Sequence, residues 1–66
     1  MKIELEQKDT ETHKWHPVAT FRFAHMAVEA GRAFSKWDQH VYRVVDKRWP
    51  NEGDEITIIR NGEVQA

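Results

Sequence analysis

The sequence predicts an α+β fold: a small antiparallel sheet with one helix packed on one face, in the order β-β-α-β-β with a short fifth strand. Three observations predict it. Apolar residues recur at every second position over residues 2 to 8 and again over residues 15 to 23, as in half-buried strands. Across Ala24 to Gln39 the step changes to three and four residues, as in an amphipathic helix. Asn61-Gly62 is a strong hairpin signal, because both residues tolerate positive φ in a type I′ turn. With 66 residues the chain is a single domain, 1–66.

The elements follow in order. Over residues 2 to 8, Ile3 and Leu5 alternate with Lys2, Glu4 and Glu6, which makes the first strand. Asp9 to His13 is polar and short and suits a hairpin connection. Trp15 to Phe23 alternates again, with Trp15, Ala19, Phe21 and Phe23 on one side and His16, Val18, Thr20 and Arg22 on the other. Pro17 has no amide proton for a ladder, so this strand lies at an edge or begins after the proline. In the helix, Ala27, Ala30, Phe34 and Trp37 form the expected buried stripe. Gly31, on the alanine side, lets the helix approach a sheet closely. No good N-cap residue precedes the helix. His40 to Trp49 is β-branched and aromatic and reads as the third strand. Pro50 to Asp54 is a turn, and Glu55 to Arg60 is the fourth strand. Glu63 to Gln65 folds back as the fifth, with Val64 opposite Ile59.

The expected core is Ile3, Leu5, Phe21, Phe23, Ala27, Ala30, Phe34, Trp37, Val44, Ile56 and Ile58. One helix covers only one sheet face. Alternation then leaves Val18, Val41, Val45 and Ile59 on the reverse face, and aligned they form an apolar patch that marks a docking surface.

Composition excludes several functions. There is no cysteine, hence no disulfide and no thiolate metal site. No run of 18 apolar residues exists to span a membrane. The N-terminus alternates charged and apolar residues, unlike a signal peptide, so a cytoplasmic location is expected. The net charge of -1 hides an uneven distribution. Residues 1–13 carry two Lys against four Asp/Glu, residues 14–49 seven Lys/Arg against three, and residues 50–66 one Arg against four. The chain is neither a uniformly acidic nucleic-acid mimic nor a strongly basic binder.

No catalytic constellation is visible. Ser35 is the sole serine and sits mid-helix without a Gly-x-Ser-x-Gly elbow. Gly31, Gly53 and Gly62 are too scattered for a phosphate loop. A non-enzyme without cofactor is expected. His13-x-x-His16 has a spacing that could serve zinc, but on a strand it points the two rings to opposite faces, so no metal site is expected. Each tryptophan follows a basic residue: Lys14-Trp15, Lys36-Trp37 and Arg48-Trp49. Basic residues interleaved with aromatics can stack bases and neutralise phosphates. Trp15 and Trp37 fall on core stripes, which leaves Lys47, Arg48 and Trp49 as a weak nucleic-acid contact surface.

In size and organisation the chain resembles the small accessory proteins encoded by phages and mobile elements, many of which bind and inhibit one host protein. The leading expectation is a non-catalytic protein-interaction module, alone or as a homodimer. Its partner-binding face would be Val18, Thr20, Arg22, Val41, Arg43, Val45 and Ile59, whose mixed apolar and arginine character suits an interface. The rival is a nucleic-acid binder using Lys47, Arg48 and Trp49.

Overall fold

The computed structural model describes residues 2–48 and 53–65. The fold is α+β. The elements are β1 (Ile3–Lys8), β2 (Trp15–Phe21), α1 (Ala24–Asp38), β3 (Tyr42–Asp46), β4 (Asp54–Arg60) and β5 (Glu63–Gln65). All strand pairs are antiparallel, in the spatial order β2-β1-β3-β4-β5. β1 and β2 form a hairpin, α1 crosses the sheet, and β3 enters on the free side of β1. Pro17 therefore lies in an edge strand, where its missing amide proton is tolerated. The expected turn residues Pro50, Asn51 and Glu52, like the strand end expected at Trp49, lie outside the described residues.

Local chemistry fixes the connections. Asp9 closes the β1–β2 turn by accepting the Glu11 amide at 2.7 Å and the Thr12 amide at 3.2 Å, an arrangement typical of Asx turns. Gln39 ends the helix in the left-handed region and donates its amide to the Ser35 carbonyl at 2.9 Å. At the β4–β5 turn Asn61 and Gly62 both have positive φ, and Val64 stands opposite Ile59 as the hairpin signal predicts.

The core between helix and sheet consists of Ile3, Leu5, Ala27, Tyr42, Val44 and Ile59. The helix reaches it with small residues. Ala27, Gly31 and Ser35 are buried, and Ala24, Val28 and Ala30 pack partly against the same cluster. A Cβ on Gly31 would stand 2.6 Å from the Ile59 Cδ1 and 3.0 Å from the Leu5 Cδ1. The helix backbone thus rests almost directly on two core side chains. No large side chain fits beneath a helix seated this low, and Phe34 and Trp37 are displaced to its flank. This corrects the expected stripe: the helix is rotated so that Gly31 and Ser35 face the sheet, and both aromatics are exposed. Phe23, also expected in the core, is exposed and stacks on His25.

Two register shifts re-aim side chains. β1 and β2 slip between Leu5 and Glu6, leaving Val18 as the extra residue between Pro17 and Ala19. β3 and β4 slip between Val44 and Val45, leaving Ile56 as the extra residue between Glu55 and Thr57. A bulge breaks the two-residue alternation, so parity read on one side of it fails on the other. Ala19 and Phe21 keep the expected helix side. Trp15, expected beside them, pairs with Lys8 on the reverse face, and Val18 turns to the helix side. In β4, pairing of Ile59 with Tyr42 sends Ile59 into the core, whereas Ile58 pairs with Arg43 on the reverse face and Ile56 is exposed. The expected core positions Ile56 and Ile58 and the expected surface position Ile59 are therefore exchanged.

Candidate functional site

The reverse face of the sheet is charged rather than apolar. Glu4, Glu6 and Lys8 of β1 share it with Trp15 of β2, Arg43 and Val45 of β3, and Glu55 of β4. Arg43 lies at its centre. Its Nε donates to Glu6 Oε1 at 2.6 Å, its Nη1 is 3.7 Å from Glu55 Oε1, and its guanidinium stacks 4.4 Å from the centroid of the Trp15 ring. Lys47 Nζ adds contacts of 3.7 Å to Glu4 and 3.8 Å to Glu6. Burial works to raise the Glu6 carboxyl, but the neighbouring Glu4 carboxyl, Arg43 and Lys47 hold it below the usual range. The Glu4 carboxyl is raised instead, chiefly by its interaction with Glu6 and then by burial. This is a cross-strand ion-pair lattice covering the sheet. Val45, within it, is fully buried.

The residues expected to form one partner-binding patch are consequently dispersed. Val18 sits on the helix side, Ile59 is buried beneath the helix, and Val45 lies under the charged lattice. Arg43 is committed to Glu6. Thr20 and Arg22 are exposed at the outer edge, and Val41 is half-buried beside Lys8, Asp9, His13 and His40. Of the rival nucleic-acid site, Lys47 belongs to the lattice. Arg48 is clamped by Asp46, which accepts from its Nε at 3.0 Å and its Nη2 at 2.9 Å, and the same contacts hold the Asp46 carboxyl below its ordinary range. Trp49 lies outside the described residues. Both described cations already have carboxylate partners.

The apolar surface lies on the other side. Val18, Phe34, Trp37, Asp38 and Tyr42 line a groove of about 520 Å³ between the C-terminal part of α1 and the edge strand β2. The β2 bulge supplies Val18, and the low seating of the helix supplies Phe34 and Trp37. Tyr42 forms the floor; its ring lies 5.9 Å from that of Phe34. Trp37 is 85% exposed, the most open large apolar residue among those described. The polar groups of the groove converge on one point. Tyr42 Oη donates to Asp38 Oδ2 and accepts from Gln7 Nε2 at 2.8 Å, while Asp38 Oδ1 accepts the His40 amide at 2.9 Å. Burial, reinforced by Asp38, pushes the Tyr42 phenol up to about 12. Along the helix the apolar surface continues through the exposed Ala33 to Met26, itself 45% exposed.

The groove is lined mostly by apolar side chains, with Asp38 and Tyr42 as its polar part. The Ser35 hydroxyl is buried, donating to the Arg32 carbonyl at 3.3 Å and accepting the Gly62 amide at 2.8 Å. Among the described residues no group of three or more potential metal ligands converges, and no helix is long and apolar enough to cross a membrane. His16, from the His13-x-x-His16 pair, faces Asp9 at 3.6 Å.

The aromatic pair of the groove stands out in the sequence, where its helical spacing points to the core instead. The signal that relocates it is the run Ala24, Ala27, Val28, Gly31, Ser35, which has helical spacing and only small or β-branched side chains. A helix that carries both a small-residue stripe and an aromatic stripe seats the former where the sheet approaches closely. Comparison with known proteins gives no match: no family model, curated protein or solved structure matches the chain.

Proposed function

We propose that the protein is a cytoplasmic, non-catalytic interaction module that docks a polypeptide against the apolar surface of α1 and the edge of β2. The observation that carries this reading is the exposure of Trp37 and Phe34 beside Val18, in a chain whose true core is made of only a few side chains. Leaving several large apolar side chains in water is costly for so small a domain, and such a patch marks an interaction site. Aromatic residues over an apolar floor, with one fixed polar group, are the usual centre of a protein interface. The reverse face is self-neutralised and has no comparable apolar area, so the docking role moves from that face to the helix side.

Affinity capture tests the reading, with wild type beside Trp37→Glu and Lys47→Glu. A bound polypeptide, whether another protein or the chain itself, should be retained by wild type and Lys47→Glu and lost with Trp37→Glu. Equal capture by all three would overturn it. Retardation of nucleic acid at about 50 mM salt, abolished by Lys47→Glu, would favour the nucleic-acid reading instead.

A further inference from the structure

We propose that the groove between α1 and β2 takes an arginine side chain of the docked polypeptide, its guanidinium stacked on Trp37 and paired with the Asp38 carboxylate. The proposal rests on the interaction reading above and adds the chemistry of the partner's anchoring residue.

The groove presents aromatic faces and a negative charge with no cation among them. Trp37 and Asp38 stand three and four residues after Phe34 and so share a face of α1 with it. Val18 and Tyr42 complete the lining, and no Lys, Arg or His belongs to it. The face of an aromatic ring attracts cations, that of Trp most strongly. Asp38 is the last residue of α1, so its carboxylate adds to the negative end of the helix dipole. Lys36, the basic residue of the last turn, points elsewhere. A Cβ on Gly62 would stand 3.2 Å from the Lys36 Cβ and 3.6 Å from its Cδ, so Lys36 runs along the β4–β5 turn, on the flank away from β2.

The hydrogen bonds of Asp38 orient the carboxylate without neutralising it. Oδ1 accepts the His40 amide, and Oδ2 accepts the Tyr42 hydroxyl, itself fixed by Gln7. Both donors are uncharged. A carboxylate has about four acceptor positions, so each oxygen keeps one. Among the described residues no basic side chain lies within ion-pair distance of Asp38. Two oxygens with an acceptor position each match the paired N–H groups of a guanidinium.

The chain already builds this arrangement once. On the reverse face Arg43 stacks 4.4 Å from the Trp15 centroid and donates to Glu6 Oε1 at 2.6 Å. Lys8 Nζ lies 5.9 Å from the centroid of the same ring. Trp37, at 85% exposed, carries no such cation among the described residues. The groove thus holds the aromatic ring and the carboxylate of the Arg43 site without its arginine. Arginine suits the place better than lysine, because its planar group stacks on the indole and bridges both carboxylate oxygens at once. The exposed parts of Phe34 and Val18 are left to meet its methylene stem and the apolar residues beside it.

The test is an NMR titration of the full chain, followed at the Trp37 indole, with a blocked peptide that holds one arginine between leucines. Two control peptides carry citrulline, the neutral isostere, or lysine at the same place. The arginine peptide should shift the indole signal and bind about tenfold more tightly than the citrulline peptide, the combined effect of an exposed cation–π contact and an ion pair. The lysine peptide should fall between them. The preference for arginine should shrink at high salt. Asp38→Asn keeps an acceptor for the His40 amide, and Trp37→Leu keeps an apolar side chain at an exposed position. Each should cut the preference several-fold with the circular dichroism spectrum unchanged. Equal binding of the arginine and citrulline peptides overturns the proposal and leaves the docking reading in place. So does a preference that survives both substitutions, or a lysine peptide bound as tightly as the arginine peptide. Peptides that shift nothing at millimolar concentration also overturn it, and the docking reading then stands or falls on Trp37-dependent capture.

Discussion

The hydroxyl of Ser35, midway along the buried stripe of α1, accepts the amide of Gly62 at 2.8 Å. The bond ties the helix to the β4–β5 turn. Arg32 reinforces it, its Nε donating to the Gly62 carbonyl at 3.1 Å. Both polar groups of one turn residue are thereby held by the helix. With this tie on one flank and Gly31 on Ile59 in the middle, the helix has one seating, and that seating turns Phe34 and Trp37 outward.

Ser35→Ala removes the acceptor and leaves the turn amide dependent on solvent. Loss of one such bond costs about 1 kcal/mol, partly offset by the better helix propensity of alanine. Urea unfolding should show a small destabilisation. Amide exchange should quicken at Gly62 and in β5, while exchange in β1 and β3 changes only through the global stability. Uniform quickening would show that the tie has no local role.

Gly31→Ala sets two effects against each other. Helix propensity favours alanine by up to about 1 kcal/mol. The added Cβ collides with Ile59 Cδ1 and Leu5 Cδ1, both on fully buried side chains, and overpacking of this kind costs about 1–3 kcal/mol. The clash should win, giving a lower urea midpoint. A higher midpoint would mean that the helix sits farther from the sheet than described.

Arg43→Ala strips the reverse-face lattice of its central cation. The Glu6 side chain is only 7% exposed, and its remaining basic partner is Lys47, at 3.8 Å. An under-satisfied buried acceptor costs about 1–3 kcal/mol. Adding Glu6→Gln should recover part of the loss in a double-mutant cycle. Strictly additive effects would contradict the pairing.

Tyr42 is the only tyrosine, so its ionisation can be followed by ultraviolet absorbance. The folded phenol is pushed up to about 12 from its ordinary 10. A raised folded value means that between these limits the unfolded chain has lost a proton that the native chain retains. The contribution of Tyr42 to stability is complete below pH 10 and is lost as the pH rises toward 12. Titration with an ordinary midpoint in the folded protein would contradict the burial of the phenol and its bond to Asp38.

Much of the fold was legible in the sequence. Period and turn chemistry located five strands and a helix close to their observed limits, and Asn61-Gly62 set the last hairpin, with Val64 opposite Ile59. The faces were less legible. Ile58 and Ile59 are adjacent and equally apolar, so alternation alone does not select which points inward; the Tyr42 register does. The bulge at Ile56 carries no adjacent glycine or proline, and the one at Val18 is marked only by Pro17, which suits a plain edge strand equally well; each reverses parity along its strand. The helix stripe is obscured because hydrophobicity ranks Phe34 and Trp37 above Gly31 and Ser35. Proximity to the sheet ranks them in the opposite order. For these reasons the exposed apolar surface lies on the helix side rather than on the reverse face.

The most direct test of that placement is the amide and indole NMR spectrum of the wild-type protein, followed as a polypeptide retained in affinity capture is added. Docking on the helix side predicts that the Trp37 indole signal and the amides around Met26 and Phe34 shift, while those of Glu4, Arg43 and Glu55 stay fixed. Shifts confined to Glu4, Arg43 and Glu55, with the Trp37 signal unmoved, would return the interface to the reverse face and contradict the account.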